Sequence, residues 1–244
     1  MLSLAVVGLL ALAGVLRYLP EYRWGPLPSN DQIAAVSATG PACKADYWGT
    51  YVPLAQIPPL VRKAAIASKD THFYERPPEN MLMELARALA GKPQPSISRS
   101  GITRSVARCL IWHFTPDNPR CAEGCYAADF FAPRVARNLP RDRILEIYLN
   151  ESYIGRGRYG VGNAAMAYFG KPLELLSIDE IALLVSGLSW GPIRDREVDR
   201  ARERRNYVID RMLQAGVISE ADAASARERP LEFPERPATK APDL

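Results

Sequence analysis

Apolar positions along this chain fall into three arrangements, and each predicts a different kind of segment. The first sixteen residues, MLSLAVVGLLALAGVL, form an uncharged apolar run that ends at Arg17. Such a run predicts a membrane-inserted helix over residues 1–19, about 24 to 30 Å long at about 1.5 Å per residue. It lacks a basic start, and its Ala11-Leu12-Ala13 triplet falls too early for a cleavage site, so it reads as an uncleaved signal anchor. Residues 20–50 hold aromatics, prolines and glycines (Tyr22, Trp24, Pro26, Gly40) without sustained periodicity and read as a linker.

From Pro58 onward apolar residues recur at helical spacing. Pro59 suits a first helical position, and Leu60, Val61, Ala64, Ala65 and Ile66 form a stripe that stops at Ser68-Lys69-Asp70. Residues 79–90, ENMLMELARALA, set Met81, Leu82, Leu85 and Leu89 on one face, suited to a core or to a bilayer surface. Pro140 precedes a helix with Ile144, Leu145, Tyr148 and Leu149 on one side. Ser177 and Glu180 form a capping box for a helix that Gly191-Pro192 closes. Asp199 or a near neighbour opens a helix through Val208, Ile209 and Met212 that stops at Gly216, and Ser219 opens the last one. Strand signals are scarce, so the expected class is mainly α, with a folded domain over 51–230 and a disordered, proline-rich tail over 231–244.

Charge and composition narrow the function. The net charge of +4 is clustered, with Arg134, Arg137, Arg141 and Arg143 in one group and Arg194 to Arg205 in another, a pattern suited to phosphate-bearing or anionic membrane partners. Arginines are not interleaved with a stacking platform of aromatics, so nucleic acid is not an expected partner. There is no internal repeat, no glycine-rich phosphate loop and no credible serine-histidine-aspartate set. Beyond a membrane anchor the compartment is oxidising, where Cys43, Cys109, Cys121 and Cys125 allow three disulfide pairings. Two alternatives stay open for them: free thiols, or a metal set made of Cys109, His113, Cys121 and Cys125, whose spacing is not a standard zinc pattern.

Three segments carry a family resemblance. DRILEIYLNESYIGRGRYGVGNAAMAYFGKPLELLSIDEIALLVSGL resembles the fourth motif and following helices of the peptidoglycan glycosyltransferase family 51, the lipid II polymerases. ERRNYVIDRMLQAGVISEADA is similar to its fifth motif, and YVPLAQIPPLVRKAAIASKDTHFY to the approach to its first. The resemblance implies a lysozyme-like, bilobal helical fold with a small membrane-facing jaw, set in the inner membrane with the domain facing the periplasm. It also implies a reaction that joins glycan units carried on undecaprenyl pyrophosphate. In that chemistry one glutamate takes the proton of the incoming hydroxyl, while a second acid and basic groups, with a divalent metal, help the pyrophosphate leave.

Position by position, the chain departs from the family where that chemistry resides. Lys69 stands at the base, followed by Asp70 and Phe73 in place, then Arg76 and Pro78 where the family has histidine and glycine. In the second motif Ser100 and Thr103 match, Gly101 replaces a threonine, and Arg108 falls at a lysine that faces the phosphates. The second glutamate position falls near Ala128, with Glu123, Asp129 and Glu146 as possible substitutes. Binding positions survive at Arg141, Tyr148, Asn150, Arg204 and Arg205, although Asn150 and Arg205 suit a scaffold role equally well. An ammonium near its usual pKa of about 10.4 accepts no proton, so the expected protein is glycosyltransferase-like and catalytically impaired. The alternatives are a non-catalytic binder of lipid-linked glycan or peptidoglycan that recruits an envelope assembly partner, and a lysozyme-like hydrolase with Glu146 as sole acid. A divalent metal is implied only if the family chemistry is retained.

Overall fold

The computed structural model describes residues 27–38, 40–43, 49–77, 99–116, 127–231 and 233. The expected anchor over 1–19, the helix over 79–90, Glu123, residues 20–26, 39 and 44–48 of the linker and all of the 231–244 tail but 231 and 233 lie outside them. The described part of the linker is not aperiodic throughout, since it holds a helix over Asn30–Ala35 that buries Ile33. No helix among the described residues is long and apolar enough to cross a membrane.

Helices dominate the described residues, as the periodicity predicts. They are α1 (Asn30–Ala35), α2 (Pro59–Lys69), α3 (Gly101–Phe114), α4 (Ala127–Asn138), α5 (Arg141–Glu151), α6 (Val161–Phe169), α7 (Ile178–Trp190), α8 (Val198–Gln214) and α9 (Glu220–Glu228). Their ends follow local chemistry. Pro59 begins α2 with no N–H left to satisfy. Glu180 reaches back to accept the Ser177 N–H at 2.9 Å, and Ser219 with Asp222 caps α9 the same way. An antiparallel hairpin, β1 (Tyr153–Gly155) with β2 (Arg158–Tyr159), follows α5.

Two groups of helices pack together. α3 packs against α4 and α5, while α7 packs against α2, α8 and α9, and α6 touches both α5 and α7. Residues Ile181 to Leu188 of α7 are all buried, which explains why its sequence is nearly free of charge past Glu180. Gly187 lets the hairpin approach: a Cβ there would lie 2.7 Å from Ile154 Cγ2. The core is continuous through Val61, Ala65, Leu110, Ile147, Leu183 and Met212. A cleft opens between the two groups, with walls from α3 and the end of α7 and a floor from α2 and α5.

Candidate functional site

The cleft holds about 650 Å³ and is lined by Lys69, Arg108, Tyr148, Glu151 and Ser189 together with aromatic side chains at its mouth. Lys69 ends α2, where the helix C-terminus favours a cation. Its Nζ donates at 3.0 Å to the Ser189 carbonyl, which belongs to the last turn of α7 and lacks an intrahelical partner. The lysine stem lies along Gly101, the first residue of α3: a Cβ on Gly101 would come 3.1 Å from Lys69 Cε and 3.3 Å from Cγ. The positions at which the resemblance expects glutamate and threonine, Lys69 and Gly101, are therefore close neighbours, with no room between them for a Cβ at ordinary distance. Burial, then Arg108, then Arg104 hold the Lys69 pKa below the ordinary lysine value.

Asp70 does not pair with the lysine beside it. Its carboxylate is buried and accepts from Arg76 Nε at 2.7 Å and Nη2 at 2.8 Å, so Arg76, which the resemblance sets at a histidine position, is the partner of Asp70. Arg141 donates to the carbonyls of Tyr74 and Arg76 and so fastens the turn that follows α2. Ser100 caps α3 by accepting the Ile102 N–H at 3.2 Å, and Thr103 is fully buried beneath the same turn. Of the binding residues expected from sequence, Lys69 and Arg108 line the cleft; Asp70, Ser100, Thr103 and Arg141 shape the backbone around it.

Several expected roles require correction. Asn150 is buried and clasps Val52, donating to its carbonyl and accepting its N–H at 2.9 Å each. Arg205 is buried too, donating to the carbonyls of Arg229 at 2.8 Å and Arg227 at 3.0 Å. Both side chains are engaged inside the scaffold, away from the cleft. Arg204 ties α8 to the Gly191 carbonyl at 3.5 Å, and burial, then Arg200, lowers its pKa. Glu146 faces inward, accepting from Arg143 Nη1 at 2.5 Å, the Tyr51 hydroxyl at 3.0 Å and the Leu54 N–H at 2.7 Å. A carboxylate closed on all sides by donors is not a cleft acid, which removes the geometric basis of the hydrolase reading.

The substitutes for the second glutamate fare similarly. Ala128 is a buried methyl, and Asp129 pairs with Arg104. Glu151 escaped the sequence reading and is the one acid that lines the cleft among the described residues. Its Oε1 accepts the N–H groups of Ala42 at 2.8 Å and Cys43 at 3.4 Å. Its place directly after Asn150 was the available signal, but only the fold shows that the last turn of α5 reaches the opening.

Cys43 and Cys109 form a disulfide across 66 residues of sequence, which resolves the pairing for two of the four cysteines. Cys109 is thus no thiolate ligand, and the four-member metal set loses a member; Cys121 and Cys125 lie outside the described residues. A divalent metal of the kind the family chemistry uses does not fit the described cleft either. Hard cations need several free oxygen donors, and here two cations face one carboxylate already bonded to backbone.

Comparison with known proteins places this arrangement among relatives. The family model described as Transglycosylase matches residues 37–213. Penicillin-binding protein 1A of Escherichia coli (strain K12) is 38% identical over 175 residues, covering 69% of this chain and 20% of that protein. A protein of Cupriavidus necator provisionally named a transglycosylase is 32% identical over 235 residues, covering 95% of this chain and 94% of its own length. The chain thus spans about a fifth of the penicillin-binding protein and nearly the whole of the second relative. Among solved structures, penicillin-binding protein 1A from Haemophilus influenzae aligns over 77% of this chain and 18% of its own, at 21% identity and a TM-score of 0.44.

Proposed function

Since this chain belongs to the transglycosylase family, we propose that it is a glycosyltransferase-like envelope protein that binds lipid II, a related polyprenyl-linked glycan or peptidoglycan without polymerising it. The observation that carries this reading is Lys69 seated against Gly101 at the place of the family's general base. A general base must accept a proton from the incoming hydroxyl, and here the family's carboxylate acceptor is replaced by an N–H donor already engaged with the Ser189 carbonyl. The substitution is accommodated by a matching loss of side chain across the cleft, so the lysine is part of the packing and not a lone lesion. The second acidic position offers only a buried methyl at Ala128. The frame persists around them: the capped start of α3, the fastened turn after α2 and the cationic cleft.

An inner-membrane anchor over 1–19 with the domain on the periplasmic side completes the proposal. It is supported by the uncharged N-terminal run and by a disulfide, which forms and persists in oxidising compartments. The test is a lipid II polymerisation assay on the purified full-length protein, with Lys69→Glu beside it. Neither is expected to turn over, because one restored carboxylate leaves Ala128 in place, and lipid II or glycan should bind to the unmodified protein. Polymer formed by the unmodified protein would overturn the non-catalytic reading. Absence of any lipid II or glycan binding would overturn the binding one.

A further inference from the structure

Trp112, Trp190 and Tyr153 stand at the mouth of the cleft with 48%, 42% and 39% of their surface exposed. They come from α3, from the last residue of α7 and from the hairpin, so three separate elements each bring a ring to one opening. Two of these rings are held in place: Trp190 meets Tyr207 edge-on at 4.9 Å, and Tyr153 lies 5.0 Å from Tyr159. Flat rings fixed at a water-filled opening suit the apolar C–H faces of pyranose sugars, whose hydroxyls stay at the ring edge and in solvent.

The interior of the cleft adds a charge requirement. Lys69 uses one of its three N–H donors on Ser189, and neither Lys69 nor Arg108 has a carboxylate partner among the described residues. The lysine stem lies along Gly101, the first residue of the fourteen-residue α3, and Arg108 projects from the middle of the same helix. Two unmatched cations in a partly desolvated cleft fit an anion on the ligand. Three rings at one mouth fit successive sugars better than a single carried disaccharide.

We propose that this cleft holds a lipid-free acidic glycan strand, with sugar rings stacked on Trp112 and Trp190 and a sugar-borne carboxylate paired with Lys69 and Arg108. This rests on the reading that the cleft binds glycan without transferring it. A pyrophosphate-linked sugar shares the chemistry of an anionic saccharide, so the test must separate the two sources.

Tryptophan fluorescence and calorimetric titrations of the full-length protein would use three probes: peptide-free peptidoglycan glycan strands, which carry free muramyl carboxylates; chitohexaose, which has similar sugar faces and no carboxylate; and lipid II. Strands should quench tryptophan emission and bind about tenfold more tightly than chitohexaose, the effect of one charge-assisted pair. Lys69→Gln should reduce that tenfold difference, and Lys69→Gln with Arg108→Gln should abolish it. Trp112→Ala and Trp190→Ala should weaken both saccharides, with Trp190→Tyr restoring part of the loss; all are exposed positions, and circular dichroism checks that each variant is folded. Strands that bind no better than chitohexaose, indifference to Lys69→Gln or to both tryptophan substitutions, or binding of lipid II alone would overturn the proposal. Lipid II binding without strand binding leaves the proposed function standing, whereas polymer formation removes that function whatever the strands do.

Discussion

Lys69 is a charge held where the fold does not favour it, and that makes a measurable prediction at the scale of one residue. Its pKa in the folded chain lies below the ordinary lysine value, first through burial and then through Arg108 and Arg104. In the pH interval between that lowered value and about 10.4 the unfolded chain binds more protons than the folded one, so stability should rise with pH there; below it the full penalty is present. At neutral pH, Lys69→Met removes the charge that burial and the two arginines disfavour, and should therefore raise Tm in a thermal melt. A fall in Tm would show that the lysine stabilises the frame. A site that lowers stability is what a binding position looks like when function, not folding, has set its residue. The contact with Gly101 gives a second check. Gly101→Ala gains helix propensity but brings a Cβ to 3.1 Å from Lys69 Cε. The substitution should be more favourable by about 0.5 to 1 kcal/mol in a Lys69→Ala background than in the unmodified protein, a coupling that a double-mutant cycle reads directly. Additive effects would mean that the two positions ignore each other.

At the scale of elements, α5 is the helix whose polar residues most need explaining, because Arg143, Glu146, Asn150 and Glu151 are all buried. Each holds a segment distant in sequence: Arg143 donates to the carbonyls of Val36 and Gly40, Glu146 receives Tyr51 and Leu54, Asn150 clasps Val52, and Glu151 receives Ala42 and Cys43. The helix is thus a spine to which Val36, Gly40, Ala42, Cys43, Tyr51, Val52 and Leu54 are buttoned. Glu146→Ala would leave the Arg143 guanidinium buried with its nearest carboxylate gone, and should cost about 3 to 5 kcal/mol of stability in chemical denaturation. A folded, stable variant with a changed glycan-cleaving activity would instead return Glu146 to the role of an acid. These duties were not legible in the sequence, since a helical stripe tells which side of α5 is inward but not what crosses the interior to meet Asn150 or Glu146. The ends of α2, α5, α7 and α9 were legible, because Pro59, Pro140, Ser177 with Glu180, and Ser219 act within a turn or two of themselves. The hairpin was not, since five residues of strand around Gly155 and Gly157 carry too short a pattern to separate from a turn.

Across the whole molecule, the Cys43–Cys109 bridge joins the stretch ahead of the domain to the helix that forms one wall of the cleft. Sequence allowed three pairings and could not choose, because the choice depends on α3 and the residues before α2 meeting over the end of α5. Three features converge at that point: the disulfide, the Glu151 carboxylate that receives the N–H groups of Ala42 and Cys43, and the cleft wall on which Arg108 and Trp112 flank Cys109. A cross-link spanning 66 residues restricts the unfolded chain, by chain-entropy reasoning, by about 4 kcal/mol. The double variant Cys43→Ser with Cys109→Ser should accordingly lower Tm by roughly 10 °C in a melt of the otherwise intact protein. Glu151→Gln, which keeps an acceptor oxygen for the same N–H groups, should lower it far less. Because the stabilisation resides in the covalent link, a reducing agent should lower the Tm of the unmodified protein and leave that of the double variant unmoved. Equal sensitivity of the two to the reducing agent would place the effect at other cysteines, and no sensitivity in either would mean that the bridge contributes nothing to the fold.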